Sequence, residues 1–323
     1  MAPLLPQNFT VDRAIIFAMK KTLVLLLVTA LGLVAQSPKR INKAIELLEQ
    51  GQPIYYTGAH GGFEEGVKMA QTWADYITYE MEHGPYDVAR LAEFMRGLVK
   101  GGPTKSGHRT PAVIVTLPVG GLDEATIKAN YWMVDQVLAT GIHGILLCHA
   151  RSPEAVKFFV EATRYPFQRL RVNEGMNEGL RGAGGEGAAQ IWGISAREYL
   201  DRADPWPLNP KGELLLGLKL EDKFALENAE ANTRIPGVAF AEWGPGDMAF
   251  SLGVKNGPGP MPPLMQAARA KVFAATKASK IFFLNSMNAD NVVDMIKEGV
   301  MIGPASEKAA DIGRKFSKRT MPW

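Results

Sequence analysis

Three ionisable side chains stand within four positions in the stretch YEMEHGPYDV, residues 79–88: Glu80, Glu82 and His83. The apolar run DYITY leads into them and Gly84-Pro85 closes them off, which reads as a strand ending on charge. Histidine titrates near neutral pH, and a carboxylate beside it can fix its tautomer and raise its basicity. His83 is therefore the expected proton handler, with Glu80 as its partner. Two more carboxylates end strand-like runs further on, Glu221 in LKLED and Asp247 in WGPGD. On adjacent strand ends they could share one hard divalent cation, with water completing its shell. Carboxylates and substrate oxygens suit Mg2+ or Mn2+, and a single cysteine, Cys148, leaves no thiolate set for a softer metal. The competing readings are a solvated acidic rim and a histidine with a purely structural role.

The elements that must position these groups are short β-branched or aromatic runs alternating with helical patterns. The runs fall at 53–58, 75–80, 112–118, 143–149, 214–221, 238–244, 280–285 and 299–303. Several are almost continuously apolar, as expected of strands covered on both faces. Between them, 87–100, 124–140 and 289–300 carry apolar residues at helical spacing, and Ser152 and Asn288 read as helix starts. Eight strand–helix alternations predict a single-domain α/β fold, a (β/α)8 TIM barrel over residues 36–323. An open doubly wound sheet is disfavoured because no phosphate-binding glycine fingerprint follows the first strand. A glycine-rich insertion at about 171–212 breaks the rhythm, and insertions of this length usually form binding loops or lids. In a barrel the strand C-termini carry the chemistry, and these are the ends on which the charged residues stand.

The motifs EMEHGPYD, VEATRYPF, GLRGAG, LKLED and GVAFAEWGPGDMAFSLG occur in this order between residues 80 and 253. Together they resemble the HpcH/HpaI class II aldolases, barrel enzymes of the phosphoenolpyruvate/pyruvate superfamily, over roughly residues 40–317. The resemblance implies that Glu221 and Asp247 hold the metal, with Glu82 behind them and His83 as base. It also implies a pyruvate-like enolate that attacks an aldehyde, a 2-oxo acid as substrate, and Gly244, Pro245 and Gly246 around its carboxylate. Three departures stand out. Thr116, in Val115-Thr116-Leu117-Pro118, replaces an arginine that would stabilise the keto oxygen, and a hydroxyl cannot stand in for a guanidinium. Lys219 replaces a glutamine, and Ala139 an acidic helix residue. Side chains alternate along a strand, so Lys219 and Glu221 share a side, and Lys219 could return the positive charge lost at Thr116. The alternatives are an exported chain that kept the metal site, lost carbon–carbon chemistry and binds a small carboxylate, and an enzyme of different chemistry on the same scaffold.

The remaining expectations concern compartment and partners. MKKTLVLLLVTALGLVAQSP, residues 19–38, has the charged, apolar and small-residue parts of a secretory signal, with cleavage after Ala35. Export to the periplasm is the expectation, and a cytoplasmic location follows if the segment is no signal. The net charge of +3 and the absence of a basic stripe argue against a nucleic-acid partner. The resemblance also implies a homo-oligomer, trimer or hexamer, with residues 304–317 exchanged between neighbours.

Overall fold

The inward-facing residues of the strands explain both the core and the site above it. In the computed structural model, which describes residues 40–255, 257 and 259–323, eight parallel strands close into a barrel. They are β1 (Ile54–Ala59), β2 (Tyr76–Glu80), β3 (Ala112–Gly120), β4 (Gly144–Cys148), β5 (Leu214–Lys219), β6 (Phe240–Glu242), β7 (Phe282–Leu284) and β8 (Val300–Pro304). Each pairs with the next, and β8 returns to β1, where Ile54 lies beside Ile302. Every expected strand is present, with ends shifted by at most two residues. Period-two alternation puts Tyr76, Ile114, Leu146, Leu215, Phe240 and Ile302 in one apolar cluster that fills the barrel. At the C-terminal ends the same inward rows turn ionisable or polar: Glu80 on β2, Thr116 on β3, Lys219 on β5 and Glu242 on β6. The change from apolar to charged along one row builds the floor of the site.

The helices form the outer layer. Asp87 caps Val88–Gly101 by accepting from the Arg90 N–H at 2.9 Å, and the helix buries Leu91, Phe94, Met95 and Leu98 against the sheet. Ser152 caps Pro153–Ala162 as expected. The stretch 124–140 forms two helices, Glu124–Asn130 and Trp132–Ala139, broken at Tyr131. The last expected helix is shorter than its pattern, Val292–Glu298. Asn288 turns back to accept from the Asp290 and Asn291 N–H groups and so delays its start.

The insertion holds helices Glu186–Trp192 and Ala196–Arg202 and a two-residue strand, Pro205–Trp206. The short strand pairs with Leu214 and Leu215, the first residues of β5. Trp192 donates to the Gly141 carbonyl at 2.9 Å and stacks on His143, just before β4. Burial, with His108 nearby, pushes the His143 pKa down to about 3, so its ring is neutral packing material. These contacts anchor helix Glu186–Trp192 and the strand Pro205–Trp206 at the entry ends of β4 and β5, away from the charged rim. The signal-like residues 19–38 lie outside the described residues.

The opposite end of the barrel is closed by a buried ion cluster. Asp75, just before β2, accepts from the Tyr55 N–H at 3.0 Å and from Arg319 at 2.7 Å and Arg314 at 3.2 Å, with Lys43 3.4 Å away. Arg314 lies on the helix Glu307–Phe316, which thereby docks on its own barrel. Removing one partner of a buried ion cluster leaves uncompensated charge, at a cost of about 3–5 kcal/mol. Asp75→Asn is thus expected to lower the thermal midpoint by roughly 10 °C. An unchanged melt would show that the three cations need no counter-charge.

Candidate metal and proton-transfer site

Four side chains converge where the barrel opens: Glu82 just past β2, His149 just past β4, Glu221 just past β5, and Asp247. One donor atom from each lies within 4.8 Å of all the others. Asp247 comes from the first turn of helix Pro245–Ser251, which follows β6 through Gly244. Gly244 has φ +49°, and a Cβ there would lie 2.3 Å from the Glu221 Cβ, so only glycine lets this turn close over Glu221. Lys219 donates to Glu82, and its ammonium is 3.4 Å from Glu221 Oε2. The His83 Nε2 is 3.4 Å from Glu82 Oε2 and 3.7 Å from Asp247 Oδ2, with the His83 side chain 63% exposed at the mouth.

The electrostatics are those of an incomplete charge balance. Burial drives the Glu221 pKa up to about 8; Lys219 opposes this and Glu82 adds to it. Burial likewise raises Glu242 to about 7, with Glu82, Glu80 and Asp247 contributing against Lys219. Lys219 stays protonated despite its burial because Cys148, Glu221, Glu242 and Glu82 surround it. Glu82 Oε1 and Glu221 Oε2 are buried without a hydrogen-bond partner among the described residues. Buried carboxylate oxygens are rarely left so, because their desolvation then goes uncompensated. Two such oxygens, with a third carboxylate and an imidazole beside them, fit a divalent cation.

A second group of contacts backs the cluster. His149 donates its backbone N–H to Glu221 Oε1 at 2.9 Å, and its Nδ1 lies 3.0 Å from Asp222 Oδ2. The Arg151 Nε donates to the same Asp222 oxygen at 2.8 Å. Burial alone would raise the Asp222 carboxyl, but His149, the Ala225 N–H and Arg151 hold it far below the usual carboxylate range. Beside His83 a cavity of about 250 Å3 opens, lined by His60, Tyr79, Glu80, Asp87 and Arg90.

The sequence model of the HpcH/HpaI aldolase/citrate lyase family matches residues 65–309. The chain belongs to this family. A hydroxypyruvate/pyruvate aldolase of Deinococcus radiodurans is 28% identical over 55% of the chain and 52% of that protein. Another, from Agrobacterium fabrum, is 25% identical over 76% of the chain and 80% of that protein. The chain thus spans little more than half the length of the Deinococcus relative. An HpcH/HpaI aldolase/citrate lyase family protein from Burkholderia cenocepacia shares the fold, with a TM-score of 0.63 and 20% identity over 85% of this chain and 96% of that one.

Against the HpcH/HpaI pattern, the barrel brings His83, Glu82, Lys219, Glu221 and Asp247 together. Lys219 and Glu221 do share a side. Glu80 departs from its expected contact. Its carboxylate accepts from the Glu82 and His83 backbone N–H groups at 2.7 and 3.1 Å, because the tight turn after β2 puts those amides within its reach. The carboxylates that face the His83 ring are Glu82 and Asp247. Thr116 is buried inside the barrel, on β3 beside Glu80. Of Gly244, Pro245 and Gly246, proline carries no N–H. The Gly246 and Asp247 amides head the helix, with no side-chain cap among the described residues. Cys148 is buried, as expected of a small core residue.

Sequence reading missed His149, Asp222 and Glu242. A histidine directly after the apolar run GILLC was the available signal for the first, and the acidic pair in LKLED for the second. Glu242 was open to the parity argument, since it occupies the register position beside Lys219.

Proposed function

We propose that the chain is a divalent-metal-dependent carbon–carbon lyase that acts on a 2-oxo acid or its aldol adduct through a pyruvate-like enolate. The observation that carries this reading is the pair of buried carboxylate oxygens, Glu82 Oε1 and Glu221 Oε2, that have no hydrogen-bond partner among the described residues, within reach of a solvent-accessible histidine. Glu221 and Asp247, with Glu82 beside them, would hold Mg2+ or Mn2+. The ion would supply Lewis-acid polarisation of the substrate's carboxylate and keto oxygens. His83 takes the proton from the carbon next to the keto group, and Glu82 and Asp247 stabilise the imidazolium that results. Its exposure lets that proton exchange with solvent or pass to the product. The Lys219 ammonium places a fixed positive charge beside Glu82 and Glu221, and the Gly246 and Asp247 amides would receive the substrate carboxylate. An aldehyde is the partner substrate, a homo-oligomer the working assembly, and export the proposed destination.

Thr116, where the family pattern has arginine, favours a second reading: a metal-dependent carboxylate-binding protein without carbon–carbon chemistry. One experiment separates them, proton NMR of pyruvate in D2O with the purified chain and Mg2+ against a chelated control. The lyase reading expects metal-dependent loss of the methyl signal. His83→Asn should slow that exchange by about 10^2- to 10^4-fold while metal still binds. No exchange above the control, from folded and metal-loaded protein, would end pyruvate chemistry here and leave a different acid or the binding reading.

A further inference from the structure

The way Glu82 and Glu221 spend their oxygens leaves a specific gap. Glu82 Oε2 is taken by Lys219 and faces His83, while Oε1 is buried, unbonded, and 3.8 Å from His149 Nε2. Glu221 Oε1 accepts the His149 N–H, while Oε2 is buried and unbonded. Glu82 is 7% exposed at its side chain and Glu221 0%. Among the described residues neither oxygen has a hydrogen-bond partner, Lys219 standing 3.4 Å from Glu221 Oε2, and one donor atom each of Glu82, Glu221 and His149 lies within 4.8 Å of the others.

The imidazole is held to present that edge. His149 sits at φ +49°, in the left-handed region that histidine enters more readily than most side chains. Its Nδ1 rests on Asp222 Oδ2, the oxygen that also takes Arg151. Asp222 Oδ1 accepts from the Phe224 and Ala225 N–H groups. A carboxylate bound by donors on both oxygens acts as an acceptor, so Nδ1 carries a proton and Nε2 is the nitrogen turned toward Glu82. A carboxylate behind one ring nitrogen, fixing the other for a metal, is the common arrangement of histidine ligands.

We propose that His149 is a nitrogen ligand of the metal centre, positioned by Asp222 and Arg151, so that the site prefers a transition dication such as Mn2+ or Co2+ over Mg2+. This rests on the metal-dependent reading above and narrows it. Imidazole favours borderline transition metals, whereas Mg2+ favours oxygen ligands and retained water. Sequence reading had an oxygen-only site, because it placed just Glu221 and Asp247 on the ion.

The test uses the full chain loaded with Mn2+ and pulsed electron paramagnetic resonance for 14N coupling, together with Co2+ titrations in competition with Mg2+. The parent chain should show nitrogen coupling. His149→Asn, which keeps a side chain tolerant of the left-handed backbone, should lose it. It should also lose about 100-fold or more in Co2+ affinity, with Mg2+ affinity changed far less. Asp222→Asn should cost about 10- to 100-fold in Co2+ affinity. Mn2+ bound without nitrogen coupling would overturn the proposal and leave the metal-dependent lyase standing. Coupling that persists in His149→Asn would overturn it by pointing to another nitrogen. A parent chain that binds neither Mn2+ nor Mg2+ would overturn both readings.

Discussion

Replacing Glu221 by glutamine is expected to abolish divalent-metal binding and to lower metal-dependent pyruvate enolisation by about 10^3-fold. The metal-free variant should nevertheless melt no lower than its parent. Glu221 is fully buried, and that burial pushes its pKa up to about 8. At neutral pH the metal-free carboxyl is therefore mostly protonated, and a neutral amide of the same shape removes little from the apo fold. What it removes is the anion that a cation would meet. The sign of the pH dependence follows. An unfolded chain releases this proton near the ordinary carboxylate pKa, whereas the folded chain holds it up to about 8. The metal-free parent therefore loses stability as pH rises through that window, and Glu221→Gln removes that slope. Metal binding must displace the same proton, so apparent affinity should rise roughly tenfold per pH unit below about 8 and flatten above it. Calorimetric metal titrations between pH 6 and 9 check this. An affinity flat across that range would mean that Glu221 is ionised before the metal arrives, or never meets it.

Lys219 carries the second large effect. Lys219→Gln is expected to slow turnover by about 10^2-fold while tightening metal binding severalfold. The ammonium donates to Glu82 and lies 3.4 Å from Glu221 Oε2, so it competes with a cation for both groups. Its loss leaves those carboxylates to the metal. If Lys219 also restores the charge missing at Thr116, turnover falls even though the metal is held more firmly. Steady-state enolisation at saturating metal separates the two contributions. Adding Thr116→Arg to Lys219→Gln should recover rate, because Thr116 already faces the barrel interior one strand from Glu82's strand. An unchanged rate in the single variant would make Lys219 a structural counter-ion and nothing more.

The amino-acid sequence by itself determined the eight strands and the charged ends that face one another. Strands covered on both faces must be apolar throughout, so runs such as AVIVTL and GILLC are legible without any partner. Parity along a single strand placed Lys219 and Glu221 on one side, and motif order placed Asp247 with them. These are local properties. Tertiary structure alone decided the rest. His149 meets Glu221 and Asp222 across 72 and 73 residues of chain, and only the pairing of β4 with β5 brings them together. Glu80 lies three residues before His83 in sequence, yet its carboxylate binds backbone amides, because the turn after β2 brings the Glu82 and His83 N–H groups within its reach. The glycine-rich insertion could have been a binding loop or a lid by its sequence, and its aromatic residues Trp192 and Trp206 are buried beside His143 and the start of β5, at the other end of the barrel. Composition shows that a segment must bury something. Which surface it covers depends on where barrel closure puts the strands.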